Sequence, residues 1–414
     1  MQFHYYIYKN KLLISEISFP FRTVEEKAAS NYSGYIYRLI NENTDNSRMC
    51  YYITHPSQVF STQESLEFIW CKTSADYTLP KWLLKSIEEN RLVCLNTAYP
   101  NWAERLDHVF PVFHDSSNFR KWNLTVAGLG DVGGTLIAGL RILGGKYINT
   151  ISIYDSDENR IKRWEYECSQ ITDSNIDSLF PKILPLKKEE DLFKGDMFIF
   201  CVSKGVPEIG ENVSDVRLIQ FKGNSKVIKD YAHKAKSYNF KGIFAVVSDP
   251  VDLLCKSALS TGLLPDQIRG YGLGVMNARA NYYALKLNSR ENFLEEGRSF
   301  GPHGDGLVVA NSIKNYNEEV SNYLTEKAKN ANMYMRSIGF KPYIAPAISS
   351  GAFSIIDTIK GSWNYSSTFL GGAFMGCRNR LLPYGTQLEY YGNMQESLFY
   401  RLNQTYKQLL KFKP

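Results

Sequence analysis

The stretch Leu124-Thr125-Val126-Ala127-Gly128-Leu129-Gly130-Asp131-Val132-Gly133 joins a short apolar run to a glycine-rich turn, and the apolar segment 136–143 follows it. A strand that passes through Gly-x-Gly-x-x-Gly into a helix is typical of dinucleotide-binding domains. The first glycine permits a tight turn, the second lets the backbone approach a pyrophosphate, and the third lets the helix pack against the strand. The N-terminus of that helix then faces the phosphates. A turn with no ligand is the alternative for the hexapeptide taken alone.

An acidic residue stands where the second strand of such a domain would end. Asp155 follows the apolar run 151–154, and it lies about 20 residues past the glycine turn, where a carboxylate accepts hydrogen bonds from the adenosine ribose. Because this carboxylate would repel a 2′-phosphate, the sequence favours NAD over NADP. In the alternative interpretation, Asp155 only closes a turn with Ser156 and Asp157. Asp131 is interpreted as a helix cap rather than a ligand.

Apolar runs separated by helix-like segments predict the architecture after residue 120. The runs lack polar alternation, as expected for strands covered on both faces of a parallel sheet; they are 124–127, 151–154, 197–202 and 243–247. We predict an α/β fold with a doubly wound parallel sheet of the Rossmann type over residues 121–270. A mixed helix and strand pattern follows over residues 271–414 and closes with a helix near Glu396.

The first 120 residues have a different character, rich in Tyr, Ser and Asn. Alternating runs at 3–8 and 48–53 predict half-buried strands, and the segment 79–87 resembles the opening of a helix. We predict a small α+β N-terminal domain over residues 1–120, with the polar stretch 114–118 as its boundary. Its residues indicate no chemistry, because the histidines lack metal-ligand spacing.

Composition and charge exclude several classes of function. The chain has 414 residues, 44% hydrophobic and 22% charged, which suffices for about two or three cores. The net charge is +6, yet basic and acidic residues are interspersed, so nucleic acid is not an expected partner. Without a secretory signal or a run of about 18 apolar residues, we expect a cytoplasmic protein that does not bind membranes. Seven cysteines without a Cys-x-x-Cys pair predict reduced, mostly buried thiols and no metal site.

Four further segments resemble the lactate/malate dehydrogenase family in order and spacing. They are Ser203-Lys204-Gly205-Val206-Pro207, Val247-Ser248-Asp249-Pro250-Val251-Asp252, Gly270-Tyr271-Gly272 leading to Ala278-Arg279, and Gly301-Pro302-His303-Gly304-Asp305. With the glycine turn they cover residues 122–310, while the C-terminal remainder resembles the family loosely and residues 1–120 do not. The resemblance implies a lactate/malate dehydrogenase-like α+β C-terminal domain. The cofactor-binding residues it implies are Gly128, Leu129, Gly130, Asp131, Val132, Gly133, Asp155, Val202 and Ser203.

The resemblance also assigns roles to three side chains. His303 would be the general acid/base that exchanges a proton with the substrate during hydride transfer, and imidazole suits this because its unperturbed pKa lies near neutral pH. Arg279 would bind the substrate carboxylate through two parallel hydrogen bonds. Ser354 falls in a segment that resembles the family's side-chain specificity region. The structural alternatives are a histidine in a glycine-rich turn and an arginine in an ion pair.

Three positions depart from the family pattern. The family's aspartate that pairs with the histidine is here Met276, which neither accepts a proton nor balances an imidazolium. The family's asparagine before the proline is here Asp249, and we hypothesise that Asp249 becomes the carboxylate partner of His303 or orients the substrate. The arginine of the family's mobile loop is here Asp215. The candidates to replace that arginine are Arg217, Lys204 and Lys222.

The sequence therefore predicts an NAD-dependent oxidoreductase acting on a small carboxylic acid, either a 2-hydroxy/2-oxo acid or an amino-acid-like compound. Because the changed positions alter the family's catalytic set, ordinary lactate or malate is the less expected substrate. The alternative is a non-catalytic NAD-binding sensor or assembly protein, which would explain Met276 and Asp215 but gives no reason to retain His303 and Arg279. The resemblance also implies a homo-oligomer, a dimer or a tetramer.

Overall fold

The computed structural model describes residues 3–61, 63–72, 78–113, 119–174, 179–204 and 216–414, except for the side chains of 216–219 and 290–291. The chain forms two compact units, each described separately below. Unit 1 comprises residues 1–110, 370–372 and 379–392, and unit 2 comprises 111–369, 373–378 and 393–414. The division of roles at residues 120 and 270 stays a prediction.

Unit 1 contains a mixed β-sheet with short helices. Its strands are β1 (His4–Tyr8), β2 (Lys11–Ser15), β3 (Arg22–Thr23), β4 (Ile36–Ile40), β5 (Cys50–Tyr52), β6 (Leu92–Asn96), residues 379–382 of β16 (Ala373–Leu382), and β17 (Gly385–Leu388). Its helices are α1 (Glu26–Ser30), α2 (Ser57–Phe60) and α3 (Lys81–Glu88), with 3₁₀ turns at Leu66–Phe68 and Trp102–Leu106. The sheet order is β3-β1-β2-β4-β6-β5-β17-β16. Strand β5 is fully buried rather than half-buried as predicted, because it lies between β6 and β17.

Unit 2 is built on a parallel sheet. Its strands are β7 (Trp122–Ala127), β8 (Ile148–Tyr154), β9 (Lys182–Pro185), β10 (Met197–Phe200), β11 (Ile243–Val246) and β12 (Ile268–Gly270), with β15 (Asn364–Leu370) antiparallel beside β12. The order β9-β8-β7-β10-β11-β12 is that of a Rossmann domain, as predicted. The strand order reverses between β7 and β10, because β8 and β9 follow on one side of β7 and β10, β11 and β12 follow on the other. Ligands of such sheets bind outside the carboxyl ends of the strands at this switch point.

Helices cover both faces of the unit 2 sheet. They are α4 (Asp131–Leu143), α5 (Glu158–Ser169), α6 (Val216–Ser237) and α7 (Val251–Leu259). Strands β10, β11 and β12 are fully buried, and β7 is buried except at Asn123. Phe198, Phe200 and Phe244, for example, lie in a core with residues of α6 and α7. This double coverage explains the uninterrupted apolar runs in the sequence.

The rest of unit 2 is a mixture of helices and short strands. It contains α8 (Leu273–Lys286), α9 (Arg290–Glu296), the antiparallel pair β13 (Arg298–Phe300) and β14 (Val308–Ala310), α10 (Glu318–Ser337), a π-helical segment (Pro346–Phe353) continued by α11 (Ser354–Lys360), and α12 (Glu396–Lys411). A second core joins α8, α9 and α10 and includes Met276, Phe293 and Leu324. Each of the seven cysteines is a free thiol, and all except Cys71 are buried.

Membrane-spanning helices and metal-binding clusters are both absent from the described ranges. No helix there combines the length and apolar character needed to cross a membrane. No group of three or more His, Cys, Asp or Glu side chains there is arranged to hold a metal ion.

Candidate active site

The glycine turn lies between the end of β7 and the start of α4. Gly128 has φ of +94°, and a Cβ there would lie 2.5 Å from the backbone nitrogen of Val202. A Cβ on Gly133 would lie 1.9 Å from the carbonyl oxygen of Gly128, so only glycine allows this approach of helix to strand. By contrast, a Cβ on Gly130 would have no described atom within 4 Å. The turn is therefore tightly packed at Gly128 and Gly133 but open at Gly130, beside the N-terminus of α4. The free backbone N–H groups at this helix end can bind a pyrophosphate.

The prediction that Asp131 caps helix α4 is wrong. The N-cap position belongs to Gly130, and no side chain caps the first turn. Asp131 is already the first helical residue, and its carboxylate lies 3.7 Å from Lys341 Nζ. Of the other turn residues, Leu129 is buried and Val132 half-buried.

Asp155 lies directly after β8 and beside the glycine turn. Its Oδ2 accepts a hydrogen bond of 2.7 Å from the backbone N–H of Leu129, and its Oδ1 accepts one of 3.0 Å from Asp157. The guanidinium of Arg160 lies 3.8 Å from the same carboxylate. A second hydrogen bond links α5 to the glycine turn, because Nε1 of Trp164 donates to the carbonyl of Leu129 at 3.0 Å. The carboxylate is thus fixed against the turn, at the edge where the ribose of a bound dinucleotide is expected.

The segment after β10 comes to the same edge of the sheet. The carbonyl of Val202 accepts a hydrogen bond of 2.7 Å from Ser248 Oγ, and Ser203 is exposed. Asn224 on α6, which the sequence did not single out, is buried and bridges two segments. Its Oδ1 accepts from the backbone N–H of Lys204 at 2.7 Å, and its Nδ2 donates to the carbonyl of Asp249 at 2.8 Å.

His303 and Asp249 form a close pair. Nδ1 of His303 lies 2.7 Å from Oδ1 of Asp249. The histidine side chain is 7% exposed and the aspartate side chain is 43% exposed. Nε2 of His303 is buried and has no hydrogen-bond partner among the described residues. The ring is therefore held at one nitrogen by a carboxylate, while the other nitrogen is left for a ligand.

A second carboxyl group lies behind His303. Asp252 at the start of α7 accepts a hydrogen bond of 3.3 Å from the backbone N–H of His303, and its other oxygen accepts one of 2.6 Å from Ser367 Oγ on β15. Burial raises the pKa of Asp252 to about 6, although both hydrogen bonds oppose this shift. Asp252 belongs to the segment 247–252 that resembles the family, but nothing in the local sequence pattern indicates its contact with His303.

Met276 and Arg279 lie one turn apart on α8 and contact each other. Met276 is buried in the core between α8 and α10, and its Sδ lies 3.8 Å from Nη1 of Arg279. The guanidinium of Arg279 donates to Asn332 Oδ1 and, at 3.3 Å, to the carbonyl of Ala328, both on α10. Burial lowers the pKa of Arg279, and the negative charge of Asp249 opposes this shift. Arg279 is thus a half-buried cation held within the electric field of Asp249.

The remaining predicted residues lie in three different situations. Ser354 is buried, and its hydroxyl donates a hydrogen bond of 3.2 Å to the backbone carbonyl of Ser349 in the preceding helical turn. Its neighbour Ser350, not predicted, donates to the carbonyl of Gly272 and accepts from Val275 N–H, both at 2.7 Å. Lys204 and Lys222 are exposed. Asp215 lies outside the described residues, as does the side chain of Arg217 at the start of α6.

Comparisons with known proteins agree with this arrangement. Residues 122–269 match the family model described as lactate/malate dehydrogenase, NAD binding domain. The chain is 27% identical over 275 residues to a probable malate dehydrogenase of Campylobacter jejuni, covering 63% of this chain and 86% of that relative. It is 30% identical over 112 residues to an L-lactate dehydrogenase of Mycoplasma pneumoniae, a match that covers 27% of this chain and only 35% of that relative.

A solved structure is similar over most of the chain. It is a lactate dehydrogenase enzyme from a Medee basin deep-sea metagenome library, with a TM-score of 0.57 and 18% sequence identity. The similarity covers 71% of this chain and 98% of that chain. At this level of identity the comparison shows a shared fold.

Proposed function

The chain belongs to the lactate/malate dehydrogenase family and is an NAD-dependent oxidoreductase of that type, and on this premise we propose that it acts on a small carboxylic acid with His303 as general acid/base. The observation that carries the proposal is the pair of His303 and Asp249, whose ring Nε2 is buried without a partner. Asp249 follows β11, which is parallel to β10 and β7, so it lies at the same sheet edge as the glycine turn. His303 follows β13 of the separate β13–β14 pair and reaches that edge through its contact with Asp249.

The cofactor residues fit NAD. A Cβ at Gly130 would enter the open space before α4, where the pyrophosphate would be received, and Asp155 would meet the ribose. When bound, NAD accepts or supplies the hydride. The chain's part is to hold the dinucleotide, exclude water and move the accompanying proton.

His303 would move that proton at Nε2. A carboxylate at Nδ1 fixes the tautomer with the proton on Nδ1, which leaves the Nε2 lone pair free to accept a proton from the substrate. Once Nε2 is protonated, Asp249 stabilises the imidazolium through the 2.7 Å contact. Asp249 would in this way do the work of the carboxylate that Met276 does not supply.

Arg279 would meet the carboxylate of the substrate. Its contacts with Ala328 and Asn332 fix the plane of the guanidinium, and a fixed, half-buried guanidinium suits paired hydrogen bonds to a carboxylate. Residues 121–270 would serve the cofactor and residues 271–414 the substrate, while residues 1–120 have no assigned role. A homo-oligomer, dimer or tetramer, and a location in the cytoplasm belong to the same proposal.

The test is to measure NADH binding by fluorescence and then to screen 2-oxo acids, with and without ammonia, for NADH consumption. His303→Asn should retain NADH binding and lose turnover, because the amide cannot exchange the proton. His233→Asn, on the exposed side of α6, is the matched control and should leave both unchanged. Tight NADH binding without turnover over the whole panel would instead support the non-catalytic sensor.

A further inference from the structure

The surroundings of His303 contain more acid than an anionic substrate would favour. The carboxylate of Asp249 contacts Nδ1, and the carboxyl group of Asp252 contacts the backbone N–H of the same residue. Arg279 on α8, held by contacts with α10, interacts electrostatically with Asp249. Among the described residues, a substrate whose charge is only negative is attracted by Arg279 but repelled by the carboxylate of Asp249 that contacts His303.

The two carboxyl groups differ in access. Asp252 is 5% exposed and is covered by Ser367 and the backbone of His303. The side chain of Asp249 is 43% exposed although it contacts His303. A ligand that reaches His303 therefore meets the charge of Asp249, which attracts a cationic group and disfavours an oxygen on which negative charge develops.

We propose that the substrate is a 2-amino acid, with the 2-imino acid as its oxidised form, whose nitrogen binds beside Asp249 while its carboxylate meets Arg279. This proposal rests on the proposed function and narrows its substrate class. An amino acid carries opposite charges on its two groups, as do Arg279 and Asp249, whereas a 2-hydroxy acid offers Asp249 only a neutral hydroxyl.

The reaction balances with the groups present. The ammonium group loses one proton to Nε2 of His303, C2 loses a hydride that NAD⁺ receives, and the nitrogen lone pair closes the C=N bond. The product is an iminium, which keeps its positive charge beside Asp249. The 2-oxo acid formed by its later hydrolysis would lose that attraction.

The test uses pairs of acids that share a side chain and differ only at C2: alanine and lactate, leucine and 2-hydroxyisocaproate, phenylalanine and phenyllactate, aspartate and malate. Each is titrated by calorimetry into the full-length protein saturated with NADH, where neither member of a pair can be oxidised. We expect the amino acid of at least one pair to bind at least about tenfold more tightly than its hydroxy partner, because it alone is attracted to the carboxylate.

Two variants separate charge recognition from structure. Asp249→Asn should abolish the preference for the amino acid, a change in the ratio of two affinities that a merely structural role would not produce. Asp305→Asn, a matched change at an exposed position in the same segment, should keep the preference.

The outcomes distinguish this inference from the function on which it rests. Equal or tighter binding of the hydroxy acids by the unaltered protein would overturn the amino acid proposal and leave the carboxylic acid oxidoreductase intact. Binding of NADH with no binding of either member of any pair would overturn both.

Discussion

Replacing Gly130 by alanine should weaken NAD binding without unfolding the protein. Gly130 has φ of −76° and ψ of −163°, values that alanine adopts without strain, and its Cβ would touch no described atom. Alanine is a poorer N-cap than glycine by about 0.5–1 kcal/mol, while the stiffer unfolded chain returns about 0.4–1 kcal/mol. The free energy of unfolding should therefore change by less than about 0.5 kcal/mol.

The effect on the cofactor is larger because the new methyl group enters the space before the helix N-terminus. A pyrophosphate displaced by it loses at least one hydrogen bond between a charged oxygen and a backbone N–H, worth about 1.5–3 kcal/mol. The dissociation constant of NADH should rise about 10- to 100-fold. Gly133→Ala is the contrasting change, because its Cβ would lie 1.9 Å from a backbone oxygen and overpacking of this kind costs about 1–3 kcal/mol.

The assay combines thermal unfolding with energy transfer from tryptophan to NADH, for which Trp164 beside the turn is a suitable donor. Gly392→Ala is the control, because its Cβ also meets no described atom within 4 Å, and it should change neither quantity. If Gly130→Ala bound NADH as well as the unaltered chain, or lost as much stability as Gly133→Ala, the proposal that the pyrophosphate occupies the open space beside Gly130 would be refuted.

Three further changes test other parts of the site. Asp155→Ser should move the ratio of NADPH to NADH affinity at least about tenfold toward NADPH, because Arg160 at 3.8 Å would then meet a 2′-phosphate without a competing carboxylate; fluorescence titration with both nucleotides measures it. Asn224→Ala should reduce the free energy of unfolding by about 1–3 kcal/mol and lower kcat with NADH affinity retained, since two partly buried hydrogen bonds to the backbone of Lys204 and Asp249 are lost. The pKa of Asp252 is about 6 in the folded chain against 3.8 ordinarily, so the folded state binds more protons between these values. Stability should therefore fall from pH 4 to 6 by about 2 kcal/mol relative to Asp252→Asn, and parallel Tm curves for the two proteins would contradict the assignment.

The parts of the fold that depend on local pattern could be predicted from the sequence. Strands β7, β8, β10 and β11 and the glycine turn follow from apolar runs and turn chemistry within a few residues. The acid after β8 likewise has a position fixed by the strand that precedes it. The proximity of Asp249 to His303 could be hypothesised from the sequence, because the chain lacks the family's carboxylate at Met276 and carries an additional one directly before Pro250.

Contacts between distant segments could not be predicted in this way. Asp252 and Ser367 are 115 residues apart, and the burial of β5 depends on β17, more than three hundred residues further along the chain. Asn224 is one polar residue among many on a long helix, so its bridge to Lys204 and Asp249 left no local signal. The Asp131 prediction failed because residue composition does not tell an N-cap from the first helical position.

Above all, we propose that this chain transfers a hydride between NAD and a small carboxylic acid while His303 transfers the accompanying proton. The decisive experiment supplies NADH carrying deuterium at both C4 positions, together with 2-oxo acids and ammonia, and follows the products by mass spectrometry. We expect one deuterium at C2 of a reduced acid, and none with His303→Asn even though that variant binds NADH. Firm binding of NADH by the unaltered chain with no deuterium in any product would contradict it.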